Sequence, residues 1–215
     1  MRKIFCIASI IIFTQAVHAQ IKAITDDGRQ VILYADGTWR YEDSLASNLI
    51  DTIPLSTKKF TKTTSQTFLV KSKLYNVGVY INPAKWRFEA KGNDNGPSEY
   101  QFTLKSGGGY AMMINEKIGV DLSALKNVAL INARNAAPDA RIVSSEYRIV
   151  NGKKILCLRI KATIQSIKFE YFGYYFSNEN GTTQLLCYGA EKDVEDAVQK
   201  GEYETFLNGF VEIAN

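Results

Sequence analysis

The sequence predicts an α+β fold: an antiparallel sheet flanked by helices as an α/β/α sandwich, with a small three-stranded β-meander in front of it. Three observations lead to this prediction. Asp-Gly turns separate short alternating segments near the start, four strand-like segments follow one another between residues 141 and 189, and a helical apolar stripe closes the chain. We divide the chain into a signal peptide (1–19), the meander (20–42), a polar linker (43–67) and the sandwich domain (68–215).

The first residues have the features of a secretory signal peptide. A short basic start precedes an apolar run, and Val17-His18-Ala19 has the small-x-small form that signal peptidase cuts. We expect cleavage between Ala19 and Gln20, and a periplasmic or secreted protein with no transmembrane segment after signal removal. Cys6 lacks the small residues after it that a lipoprotein signal needs, so we expect no lipid anchor. An uncleaved N-terminal anchor is the alternative.

Charge and histidine content exclude several function classes. The chain has 26 basic and 22 acidic residues, and loss of Arg2 and Lys3 leaves 24 against 22, a net charge of about +2. This balance does not suggest nucleic acid or an anionic membrane as a partner. The single histidine, His18, leaves with the signal peptide. The mature chain therefore has no Ser-His or Cys-His mechanism and no histidine zinc site, and we expect no cofactor.

The front segment reads as a meander with two Asp-Gly turns. A two-residue turn at Asp36-Gly37 would place Tyr34 opposite Trp39 and Ile32 opposite Tyr41. The second turn, at Asp27-Gly28, gives the same apolar face, which consists of Ile21, Ala23, Ile32, Tyr34, Trp39 and Tyr41. A meander of only three strands is marginally stable alone, and we therefore expect this apolar face to be covered. Tyr34, Trp39 and Tyr41 are a candidate partner face if it is open, and scaffold if it is not.

The elements of the larger domain follow in order from turn signals and periodicity. A strand at 75–81 leads to Pro83 and Trp86, and two strands at 99–105 and 110–116 are joined by Ser-Gly-Gly-Gly. A helix runs from Asp121 or Ser123 to about residue 135. Four strands then occupy 141–150, 153–164, 167–177 and 182–189. A last helix starts at about Glu202, with a stripe of Tyr203, Phe206, Leu207, Phe210 and Val211.

The strand at 167–177 is apolar on both faces. Ile167, Phe169, Tyr171 and Tyr175 point one way, and Phe172, Tyr174 and Phe176 point the other. Such a strand is typical of a sheet covered on both sides, which predicts the sandwich. The main interpretation is therefore central core. The alternative is an aromatic platform for a sugar or an apolar ligand at a strand end.

Strand register also bears on Cys157 and Cys187. Turns at either end of the 167–177 strand place Cys187 opposite Phe172, and Cys157 opposite Phe172 or Tyr174. Two strand spacings separate the cysteines by about 10 Å, beyond the reach of a disulfide. We therefore predict two buried free thiols.

The order of elements resembles the PsbP/Mog1p-like fold over about residues 75–215. The likeness rests on the segment GVYINPAKW, a two-strand unit, a helix, a four-strand run, and FYFGYYFSNENGTTQLLCYG before a C-terminal helix. The front segment is similar to a DGTW-type β segment of exported Bacteroidetes-type proteins of unknown function. The resemblance implies a non-catalytic accessory protein that binds a partner, and it carries over no binding residues.

Several short motifs have an ordinary structural interpretation beside a functional one. The Ser106–Gly109 run is a hairpin turn rather than a phosphate loop, and 91–99 is a solvated loop rather than a calcium site. Asp193, Glu195 and Asp196 favour a helix start, with a general acid-base pair as the alternative. Asn180-Gly181-Thr182 is a turn as well as a glycosylation sequon.

The linker contains a possible modification signal. Asp43-Ser44-Leu45 and Asp51-Thr52-Ile53 both resemble the Asp-Ser/Thr-apolar sites that Bacteroidetes-type bacteria O-glycosylate after export. Ser44 and Thr52 are therefore candidate O-glycosylation sites.

These observations favour one function class over another. The preferred hypothesis is an exported, non-catalytic accessory or binding protein for a protein or envelope component. The alternative is a histidine-free periplasmic enzyme that uses two carboxylates or a Ser-Lys pair.

Overall fold

The computed structural model describes residues 21–25, 30–34, 37, 39–41, 53–91 and 97–213. Within these ranges the elements are β1 (Ile21–Ile24), β2 (Gln30–Leu33), β3 (Trp39–Tyr41), β4 (Leu55–Phe60), β5 (Phe68–Lys71), β6 (Val77–Ile81), β7 (Trp86–Ala90), β8 (Tyr100–Leu104), β9 (Tyr110–Glu116), α1 (Leu125–Ala136), β10 (Arg141–Val150), β11 (Lys153–Ile164), β12 (Ile167–Asn178), β13 (Gly181–Ala190), α2 (Glu191–Glu195), α3 (Ala197–Leu207) and β14 (Phe210–Glu212).

Eight of these strands form the central sheet, in the order β4-β10-β11-β12-β13-β9-β8-β7. All neighbouring pairs are antiparallel except β4 and β10, which are parallel. The predicted strands 110–116, 141–150 and 153–164 are confirmed at their bounds. Asn151 and Gly152, both with positive φ (47° and 82°), connect β10 to β11, as a two-residue hairpin turn requires.

The two faces of this sheet are covered differently. On one face α1 packs over β10 and β11, with Leu125 and Ala129 against Leu156 and Leu158. On the other face lie α2, α3 and a second, three-stranded sheet of order β14-β6-β5. The expected helix layer on this side is thus shared with a sheet, because β5 and β6 close over the core beside α3.

The C-terminal helix starts and ends earlier than predicted. It begins after Asp196, whose side chain accepts hydrogen bonds from the backbone N–H groups of Val198 and Gln199, both at 3.0 Å. Tyr203, Phe206 and Leu207 of the predicted stripe are buried helix residues. Phe210 and Val211 belong instead to β14, which pairs with β6. Gly209 separates the helix from the strand.

The structure also differs from the polar linker expected at 43–67. Leu55–Phe60 forms β4, an edge strand of the central sheet that pairs with β10. Only Phe60 of this strand is buried, so its sequence carries little of the apolar alternation that marks a strand. A strand beside β10 therefore lies inside the predicted linker.

The meander forms a three-stranded sheet, β1-β2-β3, but its register is one residue away from the predicted one. Leu33, not Tyr34, pairs with Trp39, and Val31, not Ile32, pairs with Tyr41. The backbone N–H of Gly37, at φ 81°, donates to the carbonyl of Tyr34 at 3.0 Å. A shift of the register by one residue turns β2 over, so Leu33 and Val31 take the positions that were predicted for Tyr34 and Ile32. Asp36 and the Asp27-Gly28 turn lie outside the described residues.

Candidate functional site

The α1-covered face of the central sheet is only half covered. Beyond α1, the same face continues over β12, β13, β9, β8 and β7. At one level of this open half, Tyr171 of β12 pairs with Tyr188 of β13, and Tyr188 pairs with Tyr110 of β9. We call these three residues the tyrosine row. Tyr110 is 46% exposed, and the other two are half-buried.

The rings of the row are in contact with one another. The centroids of Tyr110 and Tyr188 are 6.0 Å apart with nearly parallel planes (22°), and those of Tyr171 and Tyr188 are 6.1 Å apart. Phe169 adds a fourth ring, 5.4 Å from Tyr171 and 6.1 Å from Tyr188. The result is an aromatic surface that spans three neighbouring strands. Cross-strand aromatic pairs of this kind also stabilise the sheet.

The two faces of the FEYFGYYF segment differ, and the core interpretation is confirmed for one of them, while a ligand platform on the other stays a prediction. Phe172, Tyr174 and Phe176 are buried against the α3 side, as the core interpretation expects. Phe169 and Tyr171 remain half-buried on the open face, as the platform interpretation expects. Phe169 and Tyr171 lie near the beginning of β12.

A groove runs from the row to beneath α1. Its volume is about 460 Å³. Three small residues of α1, Ala129, Ala133 and Ala136, form one wall, because they leave space that larger side chains would fill. The sheet forms the floor with Met112, Ile114, Tyr171, Tyr175 and Leu186, and Gln184 and Asn132 add polar groups. Tyr171 belongs to both features, so the groove and the row form one continuous surface.

Gly173 lets neighbouring side chains pack closely against the strand on this surface. It lies two residues after Tyr171 on β12, on the same face, and is paired with Leu186 of β13. A Cβ at this position would lie 2.5 Å from Cδ2 of Leu186 and 3.0 Å from Cε2 of Tyr175. The glycine therefore allows the side chains of the groove floor to close over the strand.

The phenols of this surface are uncharged at neutral pH. Burial raises the pKa of Tyr171, Tyr175 and Tyr188 above the ordinary value for tyrosine. Each hydroxyl therefore stays a hydrogen-bond donor as well as an acceptor. The charged residues at the edge of this surface are Arg87 and Glu89 on β7 and Glu116, which lines the groove at the end of β9.

The cysteines lie on the other face and are not nucleophiles at neutral pH. Cys187 pairs with Phe172 and Cys157 with Tyr174, so the predicted register is confirmed, with the second of the two options for Cys157. Both are buried free thiols. Burial raises the pKa of Cys157 to about 12 and that of Cys187 well above its ordinary value, which keeps both protonated.

The carboxylates near α2 belong to an ion-pair network. Lys161 Nζ lies 2.6 Å from a carboxylate oxygen of Glu191 and 2.6 Å from one of Glu195. The fully buried Glu170 pairs with Arg159 and lies 3.8 Å from Lys161. Asp196 caps α3. These contacts are those of charge pairing and capping rather than of a general acid-base pair.

The predicted partner face of the meander is partly outside the structure's description. Trp39 is exposed, as are Ile21 and Leu33 on the same face. Tyr34 follows the end of β2, and Leu33 takes the position opposite Trp39 that was predicted for Tyr34. The side chain of Tyr41 lies outside the structure's description. Residues of β1 and β2 line a cavity of about 480 Å³ together with Ile131, Arg134 and Asn135 of α1, so the meander lies beside this helix.

Other predicted sites fall in turns or outside the described ranges. Ser106–Gly109 is the turn between β8 and β9, with Gly107 and Gly108 at positive φ. Asn180 lies in the turn between β12 and β13, where Asn178 Oδ1 accepts the backbone N–H of Asn180 at 2.8 Å. The cleavage site Ala19/Gln20, the O-glycosylation candidates Ser44 and Thr52, and most of the 91–99 loop lie outside the described residues.

The described ranges contain neither a metal-binding cluster nor a membrane-spanning helix. No cluster of three or more His, Cys, Asp or Glu side chains in this part of the chain could hold a metal ion. Among the same residues, no helix has the length and apolar character needed to cross a membrane.

Comparison with solved structures identifies the fold. The cyanobacterial PsbP protein (CyanoP) of Synechocystis superposes with a TM-score of 0.53 at 12% identity, over 70% of this chain and 94% of that protein. A Bacteroides thetaiotaomicron protein gives a TM-score of 0.46 at 10% identity, over 70% of this chain and 50% of its own. A Pseudomonas aeruginosa protein of unknown function gives 0.38 at 12%, over 65% and 96%. No family model and no curated protein sequence matches. The chain has a PsbP-like fold.

Proposed function

We propose that this chain is an exported, non-catalytic binding protein that engages a protein partner through the tyrosine row and the adjoining groove. The observation that carries the proposal is the row itself: three tyrosines on neighbouring strands, on a half of the sheet that α1 leaves uncovered.

The composition of this surface supports a protein as the partner. Tyrosine, methionine and arginine are enriched in protein interfaces, and charged residues are depleted at their centres. The open face has tyrosines and Met112 at its centre and opposite charges, Arg87 and Glu89, at its edge. With Glu116 at the groove, this surface has two acidic side chains and one basic one, which is too small an excess of charge to select a charged polymer. A protein surface of mixed apolar and hydrogen-bonding character complements it.

The state of the cysteines supports a binding role over catalysis. A histidine-free chain could still use a thiolate nucleophile, but burial keeps both thiols of the central sheet protonated. The paired carboxylates near α2 are bound to Lys161. The perturbed thiols and carboxylates therefore lie in the core or in ion pairs, and the perturbed groups that line the groove are the phenols of Tyr171 and Tyr175, which stay protonated at neutral pH.

Export rests on the sequence alone. The basic start, the apolar run and Val17-His18-Ala19 support cleavage and a periplasmic or secreted, unlipidated protein. Intact-mass measurement of the protein purified from its native host tests this. A mass equal to that of a chain that begins at Gln20 agrees with export, and a mass equal to that of a chain that begins at Met1 contradicts it. Additional mass on the mature chain would agree with O-glycosylation at Ser44 or Thr52.

Site-specific photo-crosslinking in the native host tests the proposed surface. A benzophenone amino acid is placed at Thr103, which pairs with Tyr110 at the edge of the row, and as a control at Val198, exposed on α3 across the sheet. We expect one discrete protein adduct from position 103, none of that mass from position 198, and loss of the adduct when Tyr188→Ser is added.

Three results would contradict the proposal. They are an adduct of equal yield from position 198, an adduct that survives Tyr188→Ser, and the absence of any protein adduct at position 103. An adduct formed only from a benzophenone at position 39 would place the partner on the meander instead, where Trp39 is exposed.

A further inference from the structure

A second cavity lies at the far end of β12, on the side of the small sheet. Its volume is about 570 Å³, and its polar lining consists of Tyr75, Asn76, Lys153, Asn178, Asn180 and Glu212. We call it the polar pocket. Asn178 is seven residues further along β12 than Tyr171, about 23 Å at the usual rise of a strand. Asn178 also lies on the face of β12 opposite to Tyr171 and Tyr175, so the polar pocket is separate from the surface proposed to bind a protein.

One wall of the pocket is held by a directed chain of hydrogen bonds. Thr183 donates to Oδ1 of Asn115 at 2.7 Å, and Nδ2 of Asn115 donates to the Glu99 carboxylate at 2.7 Å. Since the Thr183 proton is already used, the hydroxyl of Tyr75 must donate in its contact with Thr183. The lone pairs of the Tyr75 oxygen then remain available as an acceptor, and the chain that ends at a carboxylate fixes this orientation.

Burial strengthens this arrangement. It raises the pKa of Tyr75 to about 12, so the phenol keeps its proton at neutral pH and continues to donate to Thr183. Gly181 permits the position of the ring, because a Cβ there would lie 2.9 Å from Cε1 of Tyr75. The acceptor on this wall is thus held in place from both sides.

A second wall of the pocket contains the Lys153–Glu212 ion pair, which is hydrogen-bonded to the side-chain amide of Asn178. Glu212 pairs with Lys153, and the other carboxylate oxygen accepts from Nδ2 of Asn178 at 2.6 Å. Hydrogen bonding to Lys153 lowers the pKa of Glu212, which therefore stays ionised. The Oδ1 of Asn178 accepts the backbone N–H groups of Asn180 and Gly181, which fixes the amide. The wall offers donors and acceptors but no net charge.

We propose that the polar pocket binds a small neutral polyhydroxylated molecule, such as a monosaccharide or disaccharide. A hydroxyl both donates and accepts, so it can use the Tyr75 oxygen, the Glu212 carboxylate and the Lys153 ammonium together. A net anion or cation would have to break the Lys153–Glu212 pair to gain a counter-charge. An apolar ligand would displace water from these groups without offering them any hydrogen bond in exchange.

The dimensions and the remaining lining agree with such a ligand. Small-molecule sites are typically about 300–1,000 Å³ in volume, and this cavity falls in that range. Leu74, Ile213 and the Tyr75 ring supply the apolar surface that the C–H face of a sugar packs against.

Titration of the full mature chain followed by NMR tests the proposal. The probes are glucose, N-acetylglucosamine and maltose, with glycine and inorganic phosphate as charged comparisons. We expect at least one sugar to bind with a dissociation constant on the order of 1 mM or below. Glu212→Gln should weaken it about tenfold, since a charged hydrogen bond is lost. Asn132→Ala, at the other face, is the matched control and should leave it unchanged.

Several outcomes would overturn this assignment. They are no binding by any of the sugars, tighter binding of glycine or phosphate than of the sugars, and loss of sugar binding in Asn132→Ala. The unfolding temperature of Glu212→Gln is measured alongside, and Lys153→Met is a second variant that should also weaken sugar binding if the first does not fold. Tyr188→Ser should leave sugar binding intact, so the two proposals fail independently.

Discussion

Tyr171 and Tyr188 lie directly opposite each other on β12 and β13, with ring centroids 6.1 Å apart. Tyr188 in turn lies opposite Tyr110 on the next strand. Tyr188 therefore joins two cross-strand aromatic pairs, on the part of the face that α1 does not cover. The three tyrosines therefore leave aromatic surface exposed to water on this part of the sheet.

Removal of the buried Tyr174 hydroxyl should destabilise the fold. It accepts from Arg148 at 2.9 Å and donates to Oδ1 of Asn208 at 2.8 Å. Tyr174→Phe removes both hydrogen bonds and takes this donor from Asn208, while Arg148 keeps Glu146 and Glu204. We therefore expect a loss of about 1–3 kcal/mol in the free energy of unfolding, measured by urea denaturation. Tyr171→Phe, on the open face, is the control and should change stability by no more than about 0.5 kcal/mol. Equal losses in the two variants would contradict this account of Tyr174.

Stability should fall above about pH 8.5 because of the two buried thiols. In the unfolded chain each thiol ionises near pH 8.5, whereas burial raises the pKa of Cys157 to about 12 and that of Cys187 well above its ordinary value. Above about pH 8.5 the unfolded state therefore binds fewer protons than the folded state, and the free energy of unfolding decreases as pH rises toward the folded-state pKa.

The expected size is about 1.4 kcal/mol per pH unit for each thiol, seen as a lower urea midpoint at about pH 10 than at about pH 8. The double variant Cys157→Ala/Cys187→Ala should show a clearly smaller change. The same pH dependence with and without the thiols would show that other groups cause it.

Two glycines close in sequence should respond oppositely to alanine. At Gly209 a Cβ would lie 2.0 Å from the backbone oxygen of Tyr80, which cannot move without breaking the β6–β14 contact. We expect Gly209→Ala to cost about 1–3 kcal/mol or more. At Gly201, inside α3, nothing lies within 4 Å, so Gly201→Ala should stabilise by about 0.5–1 kcal/mol. The unfolding temperatures of the two variants distinguish these effects. Destabilisation by Gly201→Ala would contradict the description of Gly201 as an open helical position.

Local signals explain which parts of the fold the sequence could predict. The pairing of β10 through β13 follows from short hairpin turns such as Asn151-Gly152, because each turn sets the register of two adjacent strands. The position of β4 could not be predicted in this way. It is a mostly exposed edge strand, and its parallel partner β10 is far away in sequence.

The tyrosine row shows the same limit. The turn between β12 and β13 sets Tyr188 opposite Tyr171, so this pair was within reach of register reasoning. The pairing of β13 with β9 joins distant segments, and no turn marks it. Tyr110 therefore enters the row only through the tertiary structure. The short extent of α1, which leaves the row uncovered, likewise depends on how the layers pack.

The affinity of the partner captured at position 103 for tyrosine-row variants tests the central claim most directly. Tyr188→Ala and Tyr110→Ala are compared with Val198→Ala, an exposed position across the sheet, by calorimetry with purified proteins. We predict that each tyrosine variant weakens binding by about tenfold or more, as expected for aromatic residues at the centre of an interface. Val198→Ala should bind as the wild type does. Equal affinity in all three variants would contradict the claim that the tyrosine row is the binding surface.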